Sequence, residues 1–155
     1  MKAYASTLAV LGLEAREKEP AYKARGQASR RAAGPAPLVE VRDGMVPFTA
    51  VNTLARILVI EPRDLLAVLG MSMRTAARRK TEGFLMADEA DRLLRVARVL
   101  EEATRVFGDQ QKAATWLRTT SPVLGDLAPF RLLDSDAGAK SVTDELIRID
   151  FGDFA

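Results

Sequence analysis

At 155 residues the chain has room for one ordinary domain or two very small ones, and hydrophobic residues at 48% are enough to build a real core. It contains neither cysteine nor histidine. This excludes disulfides, thiolate metal sites and every Ser-His or Cys-His nucleophile pair, and it removes the usual general base and zinc ligand. The net charge of +2 is unevenly spread: residues 1–46 carry +3, residues 47–108 carry +2 and residues 109–155 carry −3. A basic front and an acidic rear suit nucleic acid at one end and a different partner at the other.

Taken in chain order, the opening MKAYASTLAVLGLEAREKE has a short apolar patch that runs straight into charge. It lacks a convincing signal-peptide cleavage site, and no apolar run reaches the roughly 18 residues of a membrane span. A reducing cytoplasm fits the missing cysteines. Residues 14–37 are rich in Ala, Gly, Pro and Arg with little periodicity, so residues 1–37 are expected to be an N-terminal arm or linker. Leu38 to Val41 reads as a short strand closed by the turn dipeptide Asp43-Gly44. From Pro47 the pattern turns helical. Val51, Leu54, Ala55, Leu58 and Val59 recur at three and four and make one buried face; Val51, Leu54 and Leu58 suit either a core or a dimer contact. Pro62 stands where a first helical turn tolerates proline, Leu65, Leu66, Val68 and Leu69 follow, and Gly70 ends the helix as a left-handed residue would.

Glu61 to Thr81 then reads as helix, tight turn, helix. Gly70-Met71 forms the turn with Met71 pointing inward, and Ser72 is a good N-cap for the second helix. Ala76 and Ala77 are small, as a close helix crossing requires. Arg74 and Arg78 are four apart and share an exposed face; Thr75 and Arg79 make a second such pair, and Lys80 follows. A recognition helix needs guanidinium groups that reach guanine edges and phosphates. Ser72, Arg74, Thr75, Arg78, Arg79 and Lys80 are therefore the candidate DNA contacts. A solvated basic helix packed on acidic neighbours is the bland alternative, and the Gly-turn-Ser element just before the cluster tips the reading towards DNA.

Asp88 to Phe107 is the longest predicted helix, with Asp88 and Asp91 approximating a capping box. Its stripe of Ala90, Leu93, Leu94, Ala97, Leu100, Ala103, Val106 and Phe107 is read as core ahead of dimer contact. Arg92, Arg95, Arg98 and Arg105 lie on or beside its outer face, available to pair with Glu101 and Glu102. Gly108-Asp109 breaks the helix, and a short one carries Ala113, Trp116 and Leu117, with Trp116, the only tryptophan, as a core anchor. Pro122, Gly125 and Pro129 enforce a tight path over Leu124, Leu127, Phe130, Leu132 and Leu133. Asp134-Ser135-Asp136 superficially resembles a calcium loop with Glu145 at the twelfth position, but Gly138 stands where a ligand belongs and Ala139 where the loop needs glycine. N-capping by Asp134 or Ser135 explains the run better, and no metal or cofactor is expected. Val142, Leu146 and Ile149 stripe the last helix, which Gly152 interrupts.

The order and spacing of these elements from Gly44 to Gly152 resemble the Xre/MbcA/ParS-type antitoxins. The markers are Gly70-Met71-Ser72, Arg74-Thr75, Arg78-Arg79-Lys80, Asp91-Arg92-Leu93, Val106-Phe107-Gly108, Trp116-Leu117, Leu124-Gly125, Pro129, Leu132-Leu133, Gly138, Val142, Leu146, Ile149 and Gly152. Thr120-Ser121-Pro122 departs from the family's more usual proline-asparagine turn, and Asp126 stands where a second glycine is common; residues 1–37 lie outside the match. The resemblance implies an all-α fold: a helix-turn-helix domain for DNA binding and dimerisation over residues 38–108, followed by a small helical toxin-binding domain over residues 109–155. It implies a cytoplasmic bacterial protein without catalytic activity of its own, acting as a homodimer on operator DNA and blocking the NAD⁺ site of a RES-domain toxin. The expected plug is Ile149, Asp150, Phe151, Gly152, Asp153, Phe154 and Ala155, where two aromatics sit among acidic groups; the competing reading folds Phe151 and Phe154 back onto the core. A stand-alone helix-turn-helix regulator with a dimerisation or ligand-sensing C-terminal domain is the second hypothesis, and a small enzyme is a distant third.

Overall fold

A computed structural model of the chain describes residues 45–152, together with two short strands at residues 13–15 and 39–41. The strands, β1 (Leu13–Ala15) and β2 (Val39–Val41), pair in parallel with Leu13 opposite Val39. β2 coincides with the expected strand, whereas β1 falls inside the segment expected to be an arm. The rest of that arm, the Asp43-Gly44 turn and the tail Asp153 to Ala155 lie outside the described residues.

The fold is helical, and most helix ends follow from local chemistry. α1 (Thr49–Leu58) buries Ala50, Val51, Leu54, Ala55 and Leu58. Val59 was expected on that buried face. Instead it terminates the helix in the left-handed region (φ 54°), which turns its side chain out of the stripe and leaves it 66% exposed. α2 (Pro62–Val68) opens on proline at its first position and closes through Gly70 at φ +67°, with the Met71 N–H donating to the Leu66 carbonyl at 2.9 Å. α3 (Met73–Glu82) starts at Ser72, whose hydroxyl accepts from the Thr75 N–H at 3.0 Å, and stops at Gly83. Val46–Phe48 and Gly83–Leu85 then form a minimal antiparallel ribbon. Its bonds run from the Phe48 N–H to the Gly83 carbonyl and from the Leu85 N–H to the Val46 carbonyl, both 2.9 Å.

α4 (Ala87–Phe107) is the longest element at 21 residues, about 31 Å of helix. Its capping carboxylate is Glu89, which accepts the Met86 N–H at 2.8 Å. The Asp88–Asp91 box expected from sequence is therefore displaced by two residues, because the N-cap is Met86, the helix begins at Ala87 and Glu89 occupies the third position. Gly108 (φ +68°) ends α4, and Asp109 caps α5 (Gln110–Arg118) by accepting the Lys112 N–H at 2.9 Å. Two 3₁₀ segments follow, Pro122–Leu124 and Pro129–Asp134. α6 (Asp136–Asp150) is capped by Ser135, whose hydroxyl accepts from the Gly138 N–H at 3.1 Å. That bond gives the Asp-Ser-Asp run its positive role as a helix start.

A single continuous core joins these elements. Leu54, Leu58, Leu65, Leu69, Leu93, Leu100, Leu117, Leu133 and Leu146 are almost fully buried, each stabilising the fold by about 1.5–3 kcal/mol relative to an exposed side chain. Val51, Leu54 and Leu58 belong to this core, so they are not a dimer surface. The α4 stripe is likewise core, with Val106 and Phe107 packed at its edge. Trp116 is half-buried and lies against Phe107, ring centroids 5.6 Å apart at 42°. Two residues expected underneath are outside instead: Ala77 on α3, and Leu127 in the turn after Gly125, 45% exposed. α4 packs on α5, α6 and the second 3₁₀ segment, while α1 packs on α5, and α2 on that same 3₁₀ segment.

Among the described glycines the tightest approach to another backbone is at Gly138, in the first turn of α6. A Cβ built there would stand 1.9 Å from the Leu132 carbonyl oxygen. Backbone cannot yield as a flexible side chain can, so Gly138→Ala is expected to cost about 3 kcal/mol or more by forcing α6 off the 3₁₀ segment. Urea unfolding followed by circular dichroism checks this, and a wild-type midpoint would show that the two backbones are not held together.

Candidate nucleic-acid and toxin interfaces

Helical geometry divides α3 into two faces. Ala76 and Arg79, three apart, are buried, whereas Met73, Arg74, Ala77, Arg78, Lys80 and Thr81 are exposed. Among the described residues Arg74 and Lys80 make no ion pair or side-chain hydrogen bond, and Arg78 has only a long 3.8 Å contact with Glu82. Ser72 and Thr75 sit at the first turn, their hydroxyls 2.9 Å apart. The first turn of a recognition helix is where side chains and free N–H groups reach bases and phosphates. Ser72, Arg74 and Thr75 thus stand at the first turn of α3 and Arg78 follows Arg74 one turn on along the outer face, whereas Lys80 lies in the last turn, on the flank beside Ala77.

Arg79 does not join them, and the sequence expectation for it is corrected. Only 8% exposed, it points into the protein. Its Nε donates to both oxygens of Glu89, at 2.8 and 3.0 Å, and its Nη1 donates to Glu82. A charge held this way is unavailable to a base edge. The hydrogen bonds to Glu89 and then Glu82 raise the Arg79 pKa above its ordinary value. For a basic group a raised folded-state value contributes stability at all pH below the unfolded value and loses it only above, so Arg79 stays charged and the contribution is constant near neutrality. Glu89 escaped the sequence reading because its partner lies in another helix. The position of Arg79 three residues after the inward Ala76 was the one local sign.

The four arginines of α4 are also occupied in holding structure. Arg92 Nη1 donates to the Leu69 carbonyl at 2.9 Å, directly beneath the turn at Gly70, where an added Cβ would lie 2.8 Å from the same nitrogen. Arg95 pairs with Asp136 at 2.6 Å, and Arg98 donates to the Leu94 carbonyl. Arg105 binds Glu102 at 2.8 Å and Asp150 at 2.9 Å, bonds that raise its pKa.

At the other end of the chain, Ile149 is half-buried and Asp150 is fixed by Arg105. Beyond them Phe151 is 84% exposed and Gly152 turns the chain at φ +73°. Phe151 does not fold back onto the core. Ile147, one turn earlier on α6, is 42% exposed, so the end of α6 presents two apolar side chains. Among the described residues no cluster of carboxylates could hold a metal ion, and no helix is long and apolar enough to cross a membrane.

A capped turn between two short helices, a basic strip on the second helix and an apolar helix end on a separate face define a helix-turn-helix protein with an attached partner-binding module. Comparison with known proteins agrees. Residues 37–98 match the antitoxin Xre-like helix-turn-helix domain, and residues 102–152 match the antitoxin Xre/MbcA/ParS C-terminal toxin-binding domain. An antitoxin Xre from Photorhabdus laumondii is 33% identical over 109 residues, covering 69% of this chain and 74% of that protein. An antitoxin Xre from Yersinia enterocolitica is 35% identical over 98 residues, covering 62% of this chain and 66% of that protein. A third, from Pseudomonas putida, is 35% identical over 65 residues, covering 42% and 41%. The chain belongs to the Xre antitoxin family, which is not a family of enzymes. Its two domains imply DNA and a toxin protein as partners.

The buried pair yields a prediction that separates structure from recognition. Arg79→Ala leaves Glu89 buried without its partner and should lower the melting temperature clearly, whereas Arg74→Ala, on the exposed face, should leave it within about 1–2 °C. Thermal melts of the two variants side by side check this; equal melting temperatures would remove Arg79 from the structural role.

Proposed function

We propose that this chain is a cytoplasmic antitoxin that neutralises a RES-domain, NAD⁺-consuming toxin by direct binding and represses its own operon as a homodimer through α3. The observation that carries the reading is the coexistence, in one chain of this family, of unpaired Arg74 and Lys80 on the outer face of α3 and an uncovered Phe151 at the end of α6. The family resemblance supplies the class of toxin. The working division follows the two jobs: residues 38–108 for DNA and dimerisation, residues 109–155 for the toxin, with residues 1–37 outside both.

For DNA, Arg74 and Arg78 read base edges while Ser72, Thr75 and Lys80 hold phosphates. Dimerisation supplies affinity, since a single short helix-turn-helix seldom binds tightly without a two-fold partner. Arg74→Ala and Arg78→Ala should each weaken operator binding by about 1–3 kcal/mol, while Lys80→Ala should weaken binding to all sequences evenly and lower the salt slope by about 1. Mobility-shift titrations at several salt concentrations separate these effects, and footprinting should reveal two half-sites about 10 base pairs apart. Full affinity in the Arg74, Arg78 double variant would take α3 off the DNA.

For the toxin, Ile149 and Asp150 anchor the end of α6 and the segment Phe151 to Ala155 enters the NAD⁺ pocket. Phe151 supplies an aromatic anchor, and Asp153 meets the basic groups that a pyrophosphate site presents. The test is a chain lacking Gly152 to Ala155, assayed with its toxin for NAD⁺ consumption and separately for DNA binding. Lost inhibition with DNA binding intact is the expected result, and Phe151→Ala should weaken toxin binding by about 2 kcal/mol. Complete silencing of the toxin by the shortened chain would mean that the tail is not the plug.

A further inference from the structure

The basic strip of α3 has an apolar edge. Met73, the first residue of the helix, is 67% exposed, among the most exposed large hydrophobic side chains of the described residues. Ala77 is exposed one turn further on. At 100° per residue the two lie along one flank of the outer face, Arg74 and Thr81 along its middle and Arg78 along the opposite flank. Neither Met73 nor Ala77 belongs to the core, and their exposed neighbours on the helix are Arg74, Lys80 and Thr81, while the one carboxylate of the exposed face, Glu82, lies on the far flank beside Arg78. That charge pattern selects an anionic partner for the whole face, and the apolar edge comes with it. Within duplex DNA the apolar group accessible in the major groove is the C5-methyl of thymine, which alanine and other small apolar side chains contact.

Resting on the DNA-binding role of α3 proposed above, we infer that Met73 and Ala77 form a thymine-reading edge: each half-site of the operator carries a thymine whose 5-methyl group packs against the Met73 side chain, beside the base that Arg74 reads. The spacing suits this. Met73 and Ala77 are one helical turn apart, about 6 Å along the axis, and successive base pairs are about 3.4 Å apart, so the edge covers no more than two base-pair steps. The Ser72 cap anchors the start of the helix through the Thr75 N–H, which fixes where Met73 emerges. The unbranched methionine side chain adapts its thioether tip to the methyl group without a polar atom that would need a partner. Specificity at this position therefore comes from burying a methyl group and not from a hydrogen bond.

Replacing thymine by deoxyuridine deletes that methyl group and changes nothing else in the base pair's hydrogen-bonding edges. Duplexes are first enriched from a randomised pool with the full-length wild-type chain. Each thymine of the enriched half-site is then replaced in turn by deoxyuridine, and affinities are measured at fixed salt. One position per half-site should lose about four-fold in affinity with the wild-type chain, the equivalent of one buried methyl group. At that position Met73→Ala and Met73→Gln, the latter keeping the length but not the apolar tip, should bind the thymine and deoxyuridine duplexes equally. Arg74→Ala should bind both more weakly while keeping their ratio. Melting curves establish that each variant is folded, as expected for substitutions at an exposed position. The proposal is overturned if no deoxyuridine duplex loses affinity, or if Met73→Gln keeps the wild-type ratio. If instead no duplex is enriched, or the Arg74, Arg78 double variant binds as well as wild type, the DNA-binding role of α3 falls and the thymine edge falls with it.

Discussion

The carboxylate of Glu89 is the point on which the orientation of α3 depends. One of its oxygens accepts the Met86 N–H and starts α4, and both accept from Arg79 and so fix α3. Separating the two tasks would leave a buried charge without a partner, which costs far more than an exposed ion pair contributes. Because Arg79 must face Glu89, helical periodicity gives α3 a single rotation about its axis. Arg74, Ala77 and Arg78 are outward as a result. A basic helix without such an inward arginine would have several solvated orientations of similar energy, and its arginines would have no defined heading.

The turn before α3 is held by a similar economy of groups. Gly70 takes up the left-handed conformation, and the space a side chain would fill is occupied by the Arg92 guanidinium, which satisfies the Leu69 carbonyl at the end of α2. Helix ends leave carbonyls without intrahelical partners, and here the missing donor arrives from α4. At Gly138 the absent side chain serves a different purpose, since it lets two backbones touch. The acidic rear of the chain is thereby seated on the 3₁₀ segment that α2 also contacts.

Much of this order was legible in the sequence wherever the signal was local. Pro62, Gly70, Ser72, Gly108, Asp109 and Ser135 each mark a helix end through their own backbone, hydroxyl or carboxylate chemistry, and the structure uses each in that way. The core stripes of α1 and α4 were legible for the same reason. What escaped were side chains whose heading is decided by a partner far along the chain or by one left-handed residue. Arg79 looked like its exposed neighbours because Glu89 lies in another helix. Val59 and Leu127 matched an apolar period, yet Val59 sits past the last helical turn, and Leu127 follows Gly125 and Asp126, both at positive φ. In the candidate site, the spacing of Arg74 and Arg78 sufficed to put them on one outer face; the apolar edge at Met73 was invisible, because a methionine opening a helix reads as core until its exposure is known.

The outer face of α3 and the end of α6 are separate, but the core beneath them is not. α4 carries Glu89 under α3, Arg92 under the turn, Arg95 against the start of α6 through Asp136, and Arg105 against its end through Asp150. Glu89 and Arg105 are about 24 Å apart along the helix axis, so one element spans the distance between α3 and the end of α6. Leu93 and Leu100 fill the same helix on its inner side, in a core that includes Leu65 of α2 and Leu146 of α6. A fold of this kind unfolds as a unit, because neither half keeps its apolar face covered once α4 is withdrawn. The functional division is therefore drawn on the surface. Charge sorts it, with arginine and lysine left unpaired on α3 and aromatic and acidic residues at the end of α6, while the interior remains common to both.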